Sequence, residues 1–436
     1  MGYHDKTIDD LYPKKLIKNE HIFIEFVNSL QNDRELFLKG ILHSEIQFLS
    51  NIHKLRDYMP QIQDFFIKEK VEKFVKSVIT SKNYKITINS LEQKRLEREK
   101  QEIAQKKRLK ILEEERRIKR EEQEIAKKNR LKALFKKLEE YFNFQGFIHS
   151  TDFENFIKIM KDNKIFCRKY LEDNNLVVDD IALREVIDNT SDRIKNYVRF
   201  YWRTKTPTNY RNEGIKPKSV LVDNNKAHSP NPVIFVFDYK IALNTNVRFT
   251  DKNAGAYSSS FDCEPNQKYN FNYIFHDSSL LGYDETERKS IIQSRCAEFL
   301  YPHEISLDYV KKIVFRNQAD YDRAVLRFGN DNRFCIDESQ FINHWLKVKT
   351  YELKIQNNII YLKINFNFGK ELMRFNLNNF NHKICLLNKF EKEVKRIDII
   401  NQYNNEINCK FANNIEYSEL CYYIDDIECI RVKLND

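Results

Sequence analysis

Residues 90 to 140 constrain this chain more than any other stretch. They are dominated by Glu, Lys, Arg and Gln, so they cannot form the inside of a globular domain. They read as one long helix in water. Gln101-Glu102-Ile103-Ala104 recurs as Gln123-Glu124-Ile125-Ala126, and Arg108-Leu109-Lys110 recurs as Arg130-Leu131-Lys132, an offset of 22 residues. That offset is twice an eleven-residue repeat, and eleven residues is close to three helical turns. Ile103, Leu109, Leu112, Ile125, Leu131 and Leu134 therefore drift little around the helix. The apolar stripe they form is thin, with Glu and Lys three or four apart across the rest. Two readings stay open: a solvated spacer, or a coiled coil through which the chain self-associates.

This helix divides the chain into four predicted parts: a helical domain over 1–89, the long helix over 90–140, a mixed α/β domain over 141–335 and a β-rich domain over 336–436. In the first, residues 15 to 82 read as helical. His21-Ile22-Phe23-Ile24-Glu25-Phe26 and Phe65-Phe66-Ile67 supply apolar faces, and Pro60 punctuates between helices. In the last, alternation over Tyr351 to Ile355, Ile359 to Phe368, Ile384 to Leu387 and Cys421 to Leu434, with Asn-rich turns, predicts an antiparallel sandwich. The fold class is thus multidomain α+β.

Composition narrows the function. With 436 residues and 41% hydrophobic content, the chain can bury at least one substantial core. A formal net charge of +10 suits a polyanionic partner without requiring one. The eight cysteines form no Cys-x-x-Cys pair, which predicts free thiols and no zinc site. The first residues are polar and acidic, unlike a signal peptide, and no apolar run approaches a membrane span. A cytoplasmic protein without a membrane partner or metal is expected.

The chemistry is concentrated in the third part. Ser294-Arg295-Cys296-Ala297-Glu298-Phe299-Leu300 places an acid at the entry to an apolar strand, behind the polar run Tyr283 to Arg288. Taken alone, such an acid reads as a solvated strand end or a partner of Arg295. Phe147-Ile148-His149-Ser150-Thr151-Asp152 opens the domain and leads into a helix with Phe153, Phe156, Ile157 and Met160 on one face. Tyr197-Val198-Arg199-Phe200-Tyr201-Trp202 follows. Strand alternation puts Tyr197, Arg199 and Tyr201 on one face and Val198, Phe200 and Trp202 on the other. Pro232 to Asp238 is a further strand, followed by Arg248-Phe249-Thr250-Asp251-Lys252-Asn253.

In this order, these segments resemble the DarT family of nucleic-acid ADP-ribosyltransferases over about residues 147 to 330. The resemblance implies transfer of ADP-ribose from NAD to a base in single-stranded DNA or RNA. It implies Glu298 as the catalytic carboxylate, with Arg184 assisting deprotonation of the base and Arg193 as its competitor. NAD contacts are implied for His149, Thr151, Tyr197, Tyr201 and Thr250, and nucleic-acid contacts for Tyr257, Tyr273 and Arg295. Residues 257 to 297 would be the recognition segment, in which aromatics stack on unpaired bases and Lys268, Arg288 and Lys289 hold phosphates. Arg199 stands where thymine-directed members carry proline, and Arg203-Thr204-Lys205-Thr206-Pro207-Thr208 replaces their Pro-Arg-Ser-Pro run. Those departures favour guanine over thymine. The family setting also implies a toxin, a macrodomain-type antitoxin and phage defence. Competing readings are an RNA- or protein-directed transferase and an inactive nucleic-acid-binding scaffold.

Overall fold

A computed structural model of the chain describes residues 28–61 (except 29, 36 and 39–44), 65–176, 180–181, 184–223, 227–244, 246–256, 258–369, 377–399 and 405–434. It divides into two compact units, Met1–Arg120 and Glu121–Asp436. The expected apolar face His21 to Phe26 lies outside the described residues.

In the first unit, helices Glu45–Tyr58 and Phe65–Ile79 flank a short 3-10 turn, Met59–Gln61, with Pro60 at its centre. Proline sits there because it cannot supply the amide that a continuing helix needs. Phe48, Ile52, Leu55, Val71, Val75 and Val78 form the core between them. The long helix starts at Lys82, earlier than the sequence predicted, and ends at Phe142. Asn83 donates to the carbonyls of Phe37 and Leu38, which ties its first turn to this core.

In the second unit, the end of the long helix stops being a solvated rod. Leu131, Phe135 and Leu138 are buried, and the Phe135 ring stacks on Tyr239 at 5.0 Å between centroids. They cover one face of a seven-stranded sheet. Its strands are β1 (Phe147–Asp152), β3 (Tyr197–Tyr201), β4 (Pro232–Phe237), β5 (Arg248–Thr250), β6 (Glu298–Pro302), β8 (Val310–Phe315) and β9 (Phe334–Ile336). The order across the sheet is β5-β6-β3-β1-β4-β8-β9, antiparallel except for β8 with β9. The short strands β2 (Lys164–Phe166) and β7 (Glu304–Ser306) pair separately. β4 is buried along its whole length, so it carries apolar side chains on both faces. Gly146 precedes β1 with φ +143°, and a Cβ there would lie 2.0 Å from the Phe237 carbonyl oxygen, so only glycine fits.

One irregularity makes the site. β1 pairs with β4 along all six residues but meets β3 only at Ile148 opposite Tyr201. Beyond that point β1 and β3 part.

The C-terminal region carries two packed antiparallel sheets. One holds β10 (Lys347–Gln356), β11 (Ile359–Asn367) and β14 (Glu406–Ala412). The other holds β12 (His382–Leu387), β13 (Glu393–Ile399), β15 (Glu419–Ile424) and β16 (Ile427–Lys433). Ile360, Leu362, Ile364, Ile384, Leu386 and Tyr422 meet in the shared core, the sandwich that the alternation predicted. No helix among the described residues is long and apolar enough to cross a membrane.

Candidate active site

A cavity of about 280 Å³ opens where β1 and β3 separate. His149, Ser150 and Thr151 line it from β1, and Tyr197, Val198 and Arg199 line it from β3. Val186, Ile187, Thr190 and Ile194 close another side.

His149 lies on the Phe200 face of the pleat, its ring 5.8 Å from that of Phe200 and 6.4 Å from that of Phe235. Its Nδ1 is 3.1 Å from the Arg199 carbonyl oxygen, so the ring bridges the gap between the parting strands. A carbonyl only accepts, so Nδ1 carries the proton in this bond. Burial holds the imidazole below its ordinary pKa, against the opposing pull of that hydrogen bond. A neutral ring protonated at Nδ1 leaves Nε2 as an acceptor, suited to a ligand hydroxyl. Thr151 is buried in the same wall.

Glu298 is the first residue of β6 and is 0% exposed. The reading as a solvated strand end is therefore excluded. Its carboxylate does not pair with Arg295 either. Arg199 binds it through both oxygens, Nε to Oε2 at 2.8 Å and Nη2 to Oε1 at 2.6 Å. The pairing follows from register: Tyr201 lies opposite Glu298 and Arg199 opposite Leu300, so Arg199, Tyr201 and Glu298 share one face. Arg199 Nη2 also donates to Asn253 Oδ1 at 3.3 Å.

The remaining expected residues divide by position. Tyr197 lines the cavity, with its ring edge-on to Phe261 at 5.7 Å. Tyr201 sits beside Glu298 instead, where burial and then the neighbouring carboxylate push its phenol up. Thr250, expected as an NAD contact, is fully buried and is not among the residues that line the cavity. Its hydroxyl donates to the Lys252 carbonyl at 2.7 Å and accepts the Glu298 amide at 3.1 Å, which fixes the strand end carrying the carboxylate. Arg295 caps the helix Glu285–Ser294 and turns to the segment before it, with Nη2 2.8 Å from His276 Nδ1 and 3.2 Å from the Ser278 carbonyl. Tyr273 donates to Glu287 at 3.0 Å. Arg184 begins the helix Arg184–Asp188, but its side chain and all of Tyr257 lie outside the described residues. The competitor Arg193 stacks over Phe261 at 3.8 Å.

The recognition segment differs from its expected form. Phe271 and Phe275 pack against the main core, Tyr269 is buried with its hydroxyl on Ser260 and Asp262, and Phe261 packs beside Leu300. Core packing took these rings because each removes a large apolar surface from water. Lys268, Arg288 and Lys289 remain exposed. Sequence reasoning missed Arg199 and Asn253 as site residues. The signal for Arg199 was present: a guanidinium amid an apolar strand needs a buried counter-charge.

Residues 148–345 match the family model described as "DarT: ssDNA thymidine ADP-ribosyltransferase, DarT". They form a DarT domain. The chain accordingly carries the domain of an NAD-dependent ADP-ribosyltransferase. Among solved structures, Thermus sp. 2.9 DarT in complex with NAD+ is 14% identical, with TM-score 0.35, over 46% of this chain and 98% of that one. The same protein in complex with ADP-ribosylated ssDNA is also 14% identical, with TM-score 0.36, over 46% and 97%. Thermosipho africanus DarTG in complex with ADP-ribose is 16% identical, with TM-score 0.38, over 49% and 54%. No curated protein matches the chain. The DarT domain spans the cavity, the Arg199–Glu298 pair and the Thr250 scaffold.

Proposed function

We propose that this chain transfers ADP-ribose from NAD to a base in single-stranded DNA. The observation that carries this reading is a fully buried glutamate, held through both oxygens, beside a cavity within a DarT domain. Leaving C1 of the nicotinamide ribose creates positive charge on the sugar. A fixed carboxylate attracts that charge more than it attracts the neutral ground state, so it lowers the barrier. His149 Nε2 is the acceptor for a ribose hydroxyl, and Thr151 and Tyr197 complete the wall that holds the dinucleotide. Arg184 is the proposed aid to base deprotonation, with Arg295, Tyr257 and Tyr273 on the nucleic-acid side. A base stacked and paired in a duplex is hard to reach, which favours a single-stranded acceptor.

The proposed base is guanine, on the strength of Arg199 and the 203–208 run, although the matched family model is described by thymidine. The setting we propose is a cytoplasmic toxin with a macrodomain-type antitoxin, self-associating through residues 90–140 of the long helix. Labelled NAD incubated with single-stranded and duplex oligonucleotides, followed by nucleoside mass spectrometry, tests the acceptor and the base together. Glu298→Ala is expected to lower transfer by about 100-fold or more with NAD affinity largely kept. Wild-type turnover in that variant removes the assignment. Label retained in protein after nuclease digestion redirects it to a protein acceptor.

A further inference from the structure

Glu298 does not line the cavity, but Arg199 touches both the cavity and Glu298. Its side chain is 30% exposed, whereas that of Glu298 is 0% exposed. A carboxylate removed from water with no counter-charge is strongly disfavoured, so the guanidinium at this place offsets a large cost. The contact is also directional. Two parallel N–H to oxygen bonds fix the carboxylate plane, which a single bond could not do. Asn253 Oδ1 accepts from Nη2, and the backbone carbonyl of Arg199 accepts from His149. One residue of β3 thus connects the carboxylate, the amide of Asn253 and the imidazole.

We propose that Arg199 is a positioning residue for the transfer reaction. Its guanidinium fixes the orientation of the Glu298 carboxylate and carries the counter-charge for it at the edge of the cavity. The inference rests on the function proposed above for Glu298. Arginine is required because its planar fork matches both oxygens, whereas lysine offers one point charge.

The test uses the full chain with NAD and a single-stranded oligonucleotide. Arg199→Ala is expected to lower kcat by about 100-fold or more. NAD affinity by calorimetry should change by less than about threefold, because the interaction acts on the transition state more than on binding. Arg199→Lys should recover part of the lost rate. Guanidinium ion added to Arg199→Ala should raise turnover, and sodium chloride at the same ionic strength should not. A melting measurement reads the pair without activity: Arg199→Ala lowers the melting temperature, and Glu298→Gln in the same chain restores it by removing the stranded charge. Overturning results are wild-type or faster turnover in Arg199→Ala, a loss that neither lysine nor guanidinium repairs, or no recovery of melting by Glu298→Gln. A chain that labels no acceptor removes the proposed function and this role with it. A chain that labels DNA yet is indifferent to Arg199 removes this role alone.

Discussion

Asp152 caps the helix Phe153–Asp162 from inside the core, accepting the Glu154 amide at 3.2 Å and the Asn231 amide at 3.0 Å. Burial pushes its carboxyl up to about 7, more than those amides pull it down. Glu213 behaves alike: burial lifts it to about 8, against the Ile342 amide that it accepts at 2.8 Å. Each group keeps its proton in the fold at pH values where the unfolded chain has lost it. Their contribution is therefore complete below the unfolded carboxyl range and fades as pH rises through about 7 and 8. Denaturant unfolding at about pH 5 and about pH 8 should show this loss, and Asp152→Asn, which cannot titrate and keeps one of the two accepting oxygens, should shrink it. An unchanged difference in that variant contradicts the titration of Asp152. Residues also set the limit of what could be read beforehand. Glu298 was legible because a short local run, Arg295 to Leu300, surrounds it. The need for a buried counter-charge could be read at Arg199, but its pairing with Glu298 could not, because the two lie 99 residues apart and meet only through strand register. Proximity in sequence pointed to Arg295, which instead fastens the His276–Ser278 segment.

At the scale of elements, alternation revealed which strands exist and which faces they bury, but not where two strands separate. The gap between β1 and β3 depends on β6, β4 and the long helix all packing on the same core, and no local pattern records that. The long helix gives a second case. Leu109 and Leu131 occupy equivalent places in its repeat, yet Leu109 is exposed and Leu131 buried. The same sequence period serves solvent first and then a domain core, so the repeat alone could not place the change. Ile103, Ile118 and Ile125 remain exposed within about 60° of one another around the helix, a stripe that a second copy could cover, whereas the exposed Leu109 and Leu112 lie on the other side. Light scattering on the full chain should give about twice the monomer mass at micromolar concentrations. Ile103→Lys combined with Ile118→Lys should return the monomer with its helical signal intact. A wild-type chain that is monomeric at every concentration leaves this helix a spacer.

The second unit behaves as one body in which the sandwich is an integral support of the DarT domain. Arg323 of the helix Gln318–Phe328 is fully buried with its guanidinium 3.9 Å over the Phe153 ring, and its Nε donates to Glu428 of β16 at 3.1 Å. Arg327 Nη2 reaches the same carboxylate oxygen at 3.1 Å, and Arg431 stands 3.5 Å from the other. Burial alone would raise the Glu428 carboxyl, but these three guanidinium groups outweigh it and hold the group below its ordinary value. Asn231 adds a bond to the Glu428 carbonyl at 3.0 Å, beside the Asp152 cap at the foot of β1. Strand β1 carries His149, so the junction supports one wall of the cavity. Glu428→Ala leaves the buried Arg323 with only the longer contacts to Asp320 at 3.5 Å and Glu154 at 3.7 Å, and the expected loss is about 3 kcal/mol of unfolding free energy. Glu428→Gln, which keeps an accepting oxygen for the surrounding guanidinium groups, should return part of that loss. Denaturant unfolding of the two variants makes the comparison. If Glu428→Ala costs no more than an exposed surface substitution, the junction is loose, and the cavity wall does not depend on the sandwich.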